Sequence, residues 1–539
     1  MVANLGRSRL LGGQSRLKAG CGQNCPPHRP YHKRIMLKSS GVRRAAVLAI
    51  LCAAQMWAAP PKLVVAIVVD QFRYDYLTRF RASYHAGFER LLTKGAVFTN
   101  ARYEQYPTVT AVGHSTFMSG ATPSMSGIIG NEWYDRETGK TVTSVSDDSV
   151  KLLGAAGDGA SPKRMLVSTI GDELKIARAG SKVIGISLKD RSAILPAGHM
   201  ADGAYWFDPR AGSFVSSAFY FAELPAWVAA YNAARPADGF RGAHWLDHVL
   251  PSDAAVYAAL EGSPYGNDLV ESFVERAVQA EKLGQRDATD LLAVSFSAND
   301  YVGHAAGPDS PEVKEVSIQT DKVFGKLFNF LDKAVGMANV LVILTADHGV
   351  APVPEVNAAR KMPGGRMPAG VVRKAVETAL IDKYGAGQWI LSPSDVAFYF
   401  NRELIRQKKL DAAEVERTAA DAARAVAHVF RVYTREMLMH GAVDPEVGSQ
   451  VMNGFYAPRS PDVYVLLEPY WLYGSKGTTH STTFSYDAHV PVIFMGPGIK
   501  PGRFNRQISV NDVAPTLATY LDIETPSGSV GRCLAEILF

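Results

Sequence analysis

Residues 62–70 read KLVVAIVVD, seven aliphatic residues in a row between Lys62 and Asp70. An unbroken run of this length without polar alternation suits a strand covered on both faces, as in a parallel sheet. Four further runs share the form: KVIGISLK at 182–189, DLLAVSFSAND at 290–300, NVLVILTADH at 339–348 and VPVIFMG at 490–496. Helical patterns lie between and after them, at 313–331 and 513–521. The architecture expected is an α/β sandwich with a mostly parallel central sheet and helices on both faces. In such folds ligands sit beyond the carboxyl ends of the strands, so the polar residues there mark where a site belongs. Two stretches interrupt the pattern. Residues 192–285 are rich in Trp, Tyr, Phe and Pro, and 352–477 contain a helical block, 411–432, dense in Ala and Arg. No Ser- or Gly-rich linker sets them apart, so they read as inserted cap segments of one domain spanning 60–539.

The chain has 539 residues, 47% of them hydrophobic and 20% charged, which provides for a large core and excludes disorder, collagen and a multi-span membrane protein. Its formal net charge of +5 is unevenly placed. Ten of the 57 basic residues and none of the 52 acidic ones fall in the first 59, leaving 47 basic against 52 acidic in the remainder. The basic balance belongs to the leader, and nucleic acid is not an expected partner. Within that leader a basic stretch, 38–44, precedes the apolar run AAVLAILCAA at 45–54 and the small residues Ala58 and Ala59. It reads as a secretory signal starting at Met36 and cleaved near Ala59, with a retained anchor as the alternative. The expected location is periplasmic or secreted. Only Cys533 would remain after cleavage, so no intramolecular disulfide is available.

Chemistry concentrates at the strand ends. Asp70 can be a helix N-cap or a ligand. Asp300 and His304, four apart in NDYVGH, share one face of a helical turn. Asp347 and His348 in TADHG follow a strand, with a buried ion pair as the alternative. A further imidazole is available from GTTHSTTFSYDAHVP, in which His480 and His489 are both candidates. A carboxylate and imidazole set of this size fits two zinc ions better than one. Two-metal sites clamp the attacking and leaving oxygens of displacement at phosphorus. The Thr- and Gly-rich stretch YPTVTAVGH at 106–114 offers a hydroxyl nucleophile, which a divalent cation activates.

The order of these motifs resembles the alkaline phosphatase superfamily, closest to the periplasmic single-Thr bacterial alkaline phosphatases related to the nucleotide pyrophosphatase/phosphodiesterases. VVDQFR, YPTVTAVGHSTFMSGATPSMSGIIGNEWYD, SLKDRSAILPAGH, SFSANDYVGH, TADHG and the region 478–497 carry the resemblance. It implies one zinc on Asp70, Thr110, Asp347 and His348, and a second on Asp300, His304 and His480, with His480 preferred to His489. It further implies Thr110 rather than Thr108 as nucleophile, Asn131 as a donor to a phosphoryl oxygen, and Lys189 and Arg191 as the cationic pair of a monoesterase. The Cys-x-Pro-x-Arg signature of sulfatases is absent. The function implied is zinc-dependent hydrolysis of small-molecule phosphate monoesters through a phosphothreonine, by a monomer without stable membrane insertion. A phosphodiesterase or nucleotide pyrophosphatase on the same scaffold is the alternative.

Overall fold

A computed structural model describes residues 60–538, so the expected signal segment and cleavage point lie outside the described residues. Seven strands carry the site or its frame: β1 (Leu63–Val69), β2 (Ala96–Arg102), β3 (Val183–Ser187), β4 (Gly203–Asp208), β5 (Asp290–Phe296), β6 (Val340–Thr345) and β7 (His489–Met495). Every residue of β1, β3, β5 and β6 is buried. That is why these runs show no polar alternation: both faces of the sheet are covered. The strands belong to a twelve-stranded sheet in which β2, β7, β6, β1, β5, β3 and β4 are successive neighbours. From β6 to β4 all pairings are parallel.

The run at 490–496 forms β7 as expected, but it lies antiparallel to both β6 and β2. A strand buried on both faces reads as the same apolar run in either direction, so its sense is not encoded in that pattern. The sheet is therefore mixed, with a parallel centre. The 192–285 stretch is only partly peripheral, because β4 extends the parallel sheet and Ser213–Ser217 pairs antiparallel beyond it. The 352–477 stretch builds its own three-stranded sheet from Ala397–Phe398, Val463–Leu467 and Val429–Thr434. Around that sheet pack the helices Val371–Tyr384 and Ala412–Arg424, with buried Val376, Leu380, Val415 and Ala419. The helical block expected over 411–432 thus ends at Arg424, and VFRVYT, alternating and β-branched, turns into a strand.

One buried acid in the frame carries a stability prediction. Glu271, on the helix Tyr265–Glu281, is 5% exposed, and its Oε1 has no hydrogen-bond partner. Burial, with Glu275 one turn further on, pushes its carboxyl up to about 8. The folded state therefore holds a proton that the unfolded chain has released, and stability falls as pH rises from 4.5 to about 8. Glu271→Gln should raise Tm at pH 9 by about 2–4 °C and leave Tm at pH 4 unchanged. Thermal melts at the two pH values check this; an equal shift at both would assign the effect to packing.

Candidate active site

The carboxyl ends of β6, β1, β5 and β3 deliver the polar residues to one crevice. Asp70 follows β1; Asp347 and His348 follow β6. Asp300 and His304 lie on the helix after β5, Ala298–Ala306. Lys189 stands at the N-cap of the helix after β3, Asp190–Ala197, on which Arg191 lies. Asp70 is not a helix cap, since the next helix starts at Tyr74 with Arg73 as its N-cap. Thr110 is the first residue of the helix Thr110–Ser119 and is 2% exposed. That helix packs directly on the end of β6. A Cβ at Gly113 would stand 2.3 Å from the Asp347 carbonyl oxygen, so only glycine permits the approach.

Two groups of ligand atoms result, Asp70, His114 and Asp347 in one, and Asp300, His304 and His480 in the other. Thr110 Oγ1 lies 3.4 Å from His348 Nε2, and the His348 and His480 rings stack at 3.6 Å between centroids. Nδ1 of each of three imidazoles meets a main-chain carbonyl: His304 that of Thr478 at 2.8 Å, His348 that of Gly349 at 2.9 Å, and His480 that of Thr108 at 2.8 Å. A carbonyl only accepts, so Nδ1 is the donor, and Nε2 of each ring is left facing the carboxylates. Oδ2 of Asp347 is buried without a hydrogen-bond partner. Buried carboxylate oxygens and imidazole Nε2 atoms converging in this way fit a borderline-soft divalent cation such as zinc.

The electrostatics are those of a densely charged pocket. Burial alone would raise the Asp300 carboxyl, but Lys189 and His304 hold it well below the usual carboxylate range. Burial likewise opposes charge on Lys189, yet Asp300 at 2.6 Å and Asp70 at 3.0 Å keep its ammonium protonated well above the ordinary lysine value. His480, buried beside His348 and His304, is held well below its ordinary value and is neutral. Arg191 is a quarter exposed, its Nη1 3.7 Å from Asp190, and its buried Nε has no partner. Asn131 accepts the Ala111 N–H on its Oδ1 at 2.8 Å, which directs its amide N–H₂ elsewhere. Asn131 and Arg191 line a cavity of about 660 Å³, together with Trp133, Tyr399, Tyr464 and Ser481.

His489 lies apart: it begins β7, its Nε2 meets the Thr99 carbonyl at 3.0 Å, and it stacks on Tyr74. Thr108 gives its hydroxyl to the Thr482 carbonyl at 2.8 Å. Two residues of the site went unmarked in the sequence. His114 donates from Nδ1 to the Thr110 carbonyl at 2.9 Å, while its Nε2 meets Ser295 Oγ at 2.9 Å, and Ser295 in turn donates to Asp70 Oδ1. Gln71 adopts φ 59°, rare for a non-glycine residue. That turn aims its N–H at Asp347 Oδ1, 2.8 Å away, and its side-chain amide at Asp300 Oδ1, 2.7 Å away, tying the two ligand groups together. The Thr110–His114 spacing of four, the same as that of Asp300 and His304, was a usable signal for His114. Gln71 had none.

This chain belongs to the type I phosphodiesterase/nucleotide pyrophosphatase family, whose model matches residues 64–489. Among individual relatives, it is 38% identical to alkaline phosphatase PhoV of Synechococcus elongatus, over 89% of this chain and 93% of that one. It is 36% identical to alkaline phosphatase PafA of Elizabethkingia meningoseptica, over 89% and 94%. The crystal structure of PafA superposes with a TM-score of 0.83, covering 89% of this chain and 99% of that one. The fold is thus the alkaline-phosphatase-like α/β sandwich that the motif order implied. Among the described residues no helix is long and apolar enough to cross a membrane.

Proposed function

We propose that the protein is an exported, zinc-dependent alkaline phosphatase that hydrolyses phosphate monoesters through a phosphothreonine at Thr110. The observation that carries this reading is the Thr110 hydroxyl at a helix start, 3.4 Å from His348, whose ring stacks on His480 of one of two groups of carboxylates and imidazoles. The PhoV and PafA relatives support it by their names and extent of identity. In this reading Asp70, Thr110, Asp347 and His348 hold one zinc ion and Asp300, His304 and His480 the other. Bound there, the two ions supply positive charge to the ionised hydroxyl and to the departing ester oxygen.

The protein's own residues do the rest. Thr110 Oγ1 forms the bond to phosphorus as the ester bond on the opposite side breaks, and water then displaces Thr110 to release inorganic phosphate. The start of the Thr110 helix adds its dipole to the anion's surroundings. His114 holds the Thr110 carbonyl and, through Ser295, Asp70, so that nucleophile and carboxylate keep one relative position. Asn131, with its Oδ1 already engaged, presents its amide N–H₂ to a phosphoryl oxygen. Lys189 and Arg191 meet the remaining charge, Arg191 with an Nε that has no other partner. The cavity beyond Asn131 and Arg191 gives room for the alcohol portion of the ester.

The family description also covers diesterases, and the cationic pair separates the two activities. A monoester's dianionic phosphoryl group presents charge that a diester lacks. Replacing Lys189 and Arg191 together by Ala should depress monoester kcat/KM by about 10²–10³ and change diester hydrolysis much less. The comparison uses one monoester and one diester with the same leaving group. Equal proportional losses would transfer the proposal to the phosphodiesterase reading.

A further inference from the structure

We propose that Tyr301 and Glu261 are positioning residues that hold the Lys189 ammonium against the phosphoryl site and so set the monoester preference; this rests on the role of Lys189 given above. Lys189 Nζ lies 4.9 Å from the centroid of the Tyr301 ring. Tyr301 sits on the Ala298–Ala306 helix, between Asp300 and His304 in sequence, and its hydroxyl donates to Glu261 Oε1 at 3.1 Å. Glu261 is the last residue of the helix Val256–Glu261, within the 192–285 stretch. One hydrogen bond and one ring face therefore connect that stretch to the cation at the centre of the site.

The geometry answers a problem peculiar to lysine. Its ammonium is a compact charge on a flexible four-carbon stem, with no planar fork to fix its direction. The carboxylates of Asp300 and Asp70, 2.6 and 3.0 Å away, draw it towards both ligand groups, which are also the groups proposed to bind metal. The Tyr301 ring is a contact of another kind. Its face attracts a cation without competing for a metal ion or taking a proton, and the attraction grows as water is excluded. Donation of the Tyr301 hydroxyl to a carboxylate leaves the ring more electron-rich and fixes its plane.

The test measures kcat/KM for a monoester and a diester with a common leaving group, with Tm and zinc content as checks on folding and loading. Tyr301→Leu should lower monoester kcat/KM about tenfold and diester kcat/KM less than about twofold. Tyr301→Phe keeps the ring and should restore all but about twofold, and Glu261→Gln should give a similarly small, monoester-selective loss. In a Lys189→Ala background, Tyr301→Leu should add nothing, because the residue acts through the ammonium. A tenfold loss that persists in that background, or one shared equally by both substrates, overturns the proposal. A selective Lys189→Ala beside a silent Tyr301→Leu overturns it alone; an unselective Lys189→Ala removes the role of Lys189 and the proposal with it. Should Tyr301→Leu fail to fold, the ratio of the two activities in Tyr301→Phe and Glu261→Gln decides, and an unchanged ratio in both rejects the proposal.

Discussion

Thr110→Ala should fold, keep its zinc and lose at least about 10³ of its monoester turnover. The substitution is structurally mild. The hydroxyl's side-chain hydrogen bond is the long one to His348 Nε2 at 3.4 Å, and the helix that begins at residue 110 accepts alanine readily. The His114 bond is made to the main-chain carbonyl of residue 110 and survives. A loss of activity with unchanged Tm therefore reports the nucleophile and not the frame. Acid-quenched wild-type protein incubated with substrate should carry phosphate on the peptide containing Thr110, and the variant should carry none. Full turnover in Thr110→Ala would mean that water attacks phosphorus directly, and the phosphothreonine would be abandoned.

Chelation should abolish turnover, by at least about 10³, and zinc should restore it, with two ions per chain in the purified protein. Ligand variants test the division into two groups, and the hydrogen bonds dictate their choice. Asp347 Oδ1 accepts the N–H of Gln71 at 2.8 Å and of His348 at 2.9 Å, so alanine there would leave two buried donors unpaired. Asp347→Asn retains that acceptor and removes the charge. Asp300→Asn likewise keeps an acceptor for Gln71 Nε2, now at 2.7 Å. Each variant should lose about one zinc equivalent by elemental analysis and most of its activity. A wild-type stoichiometry of one with activity intact would refute the two-ion assignment.

What the sequence revealed and what it hid have the same cause. β1, β5 and β6 were legible because strands buried on both faces are made almost wholly of apolar residues, and Asp70, Asp300, His304, Asp347 and His348 stood out as polar groups where those runs stop. The antiparallel sense of β7 was not legible, because two-sided burial says nothing about direction. Thr110 resembled any threonine of a polar loop; its burial comes from packing on the end of β6, a tertiary contact. Ser295 lies inside the apolar run of β5 and reads as a strand residue, although its hydroxyl reaches Asp70. Tyr301 passed as filler between Asp300 and His304, since its proposed part depends on Glu261, forty positions upstream.

The order of β1 among its neighbours also bears on how the molecule comes into being. β1 is the first strand of the described chain, yet its partners are residues 290–296 and 340–345, and the imidazole of His480 comes later still. A ribosome releases the chain from the amino end at a finite pace. Until residue 290 has been made the opening strand has neither flank, and its seven aliphatic residues are without their strand partners. The imidazole of His480 arrives about 400 residues after β1. An emerging chain therefore lacks the second group of ligand atoms until His480 has been made, and whatever keeps the opening strand from premature association must act until its partners arrive.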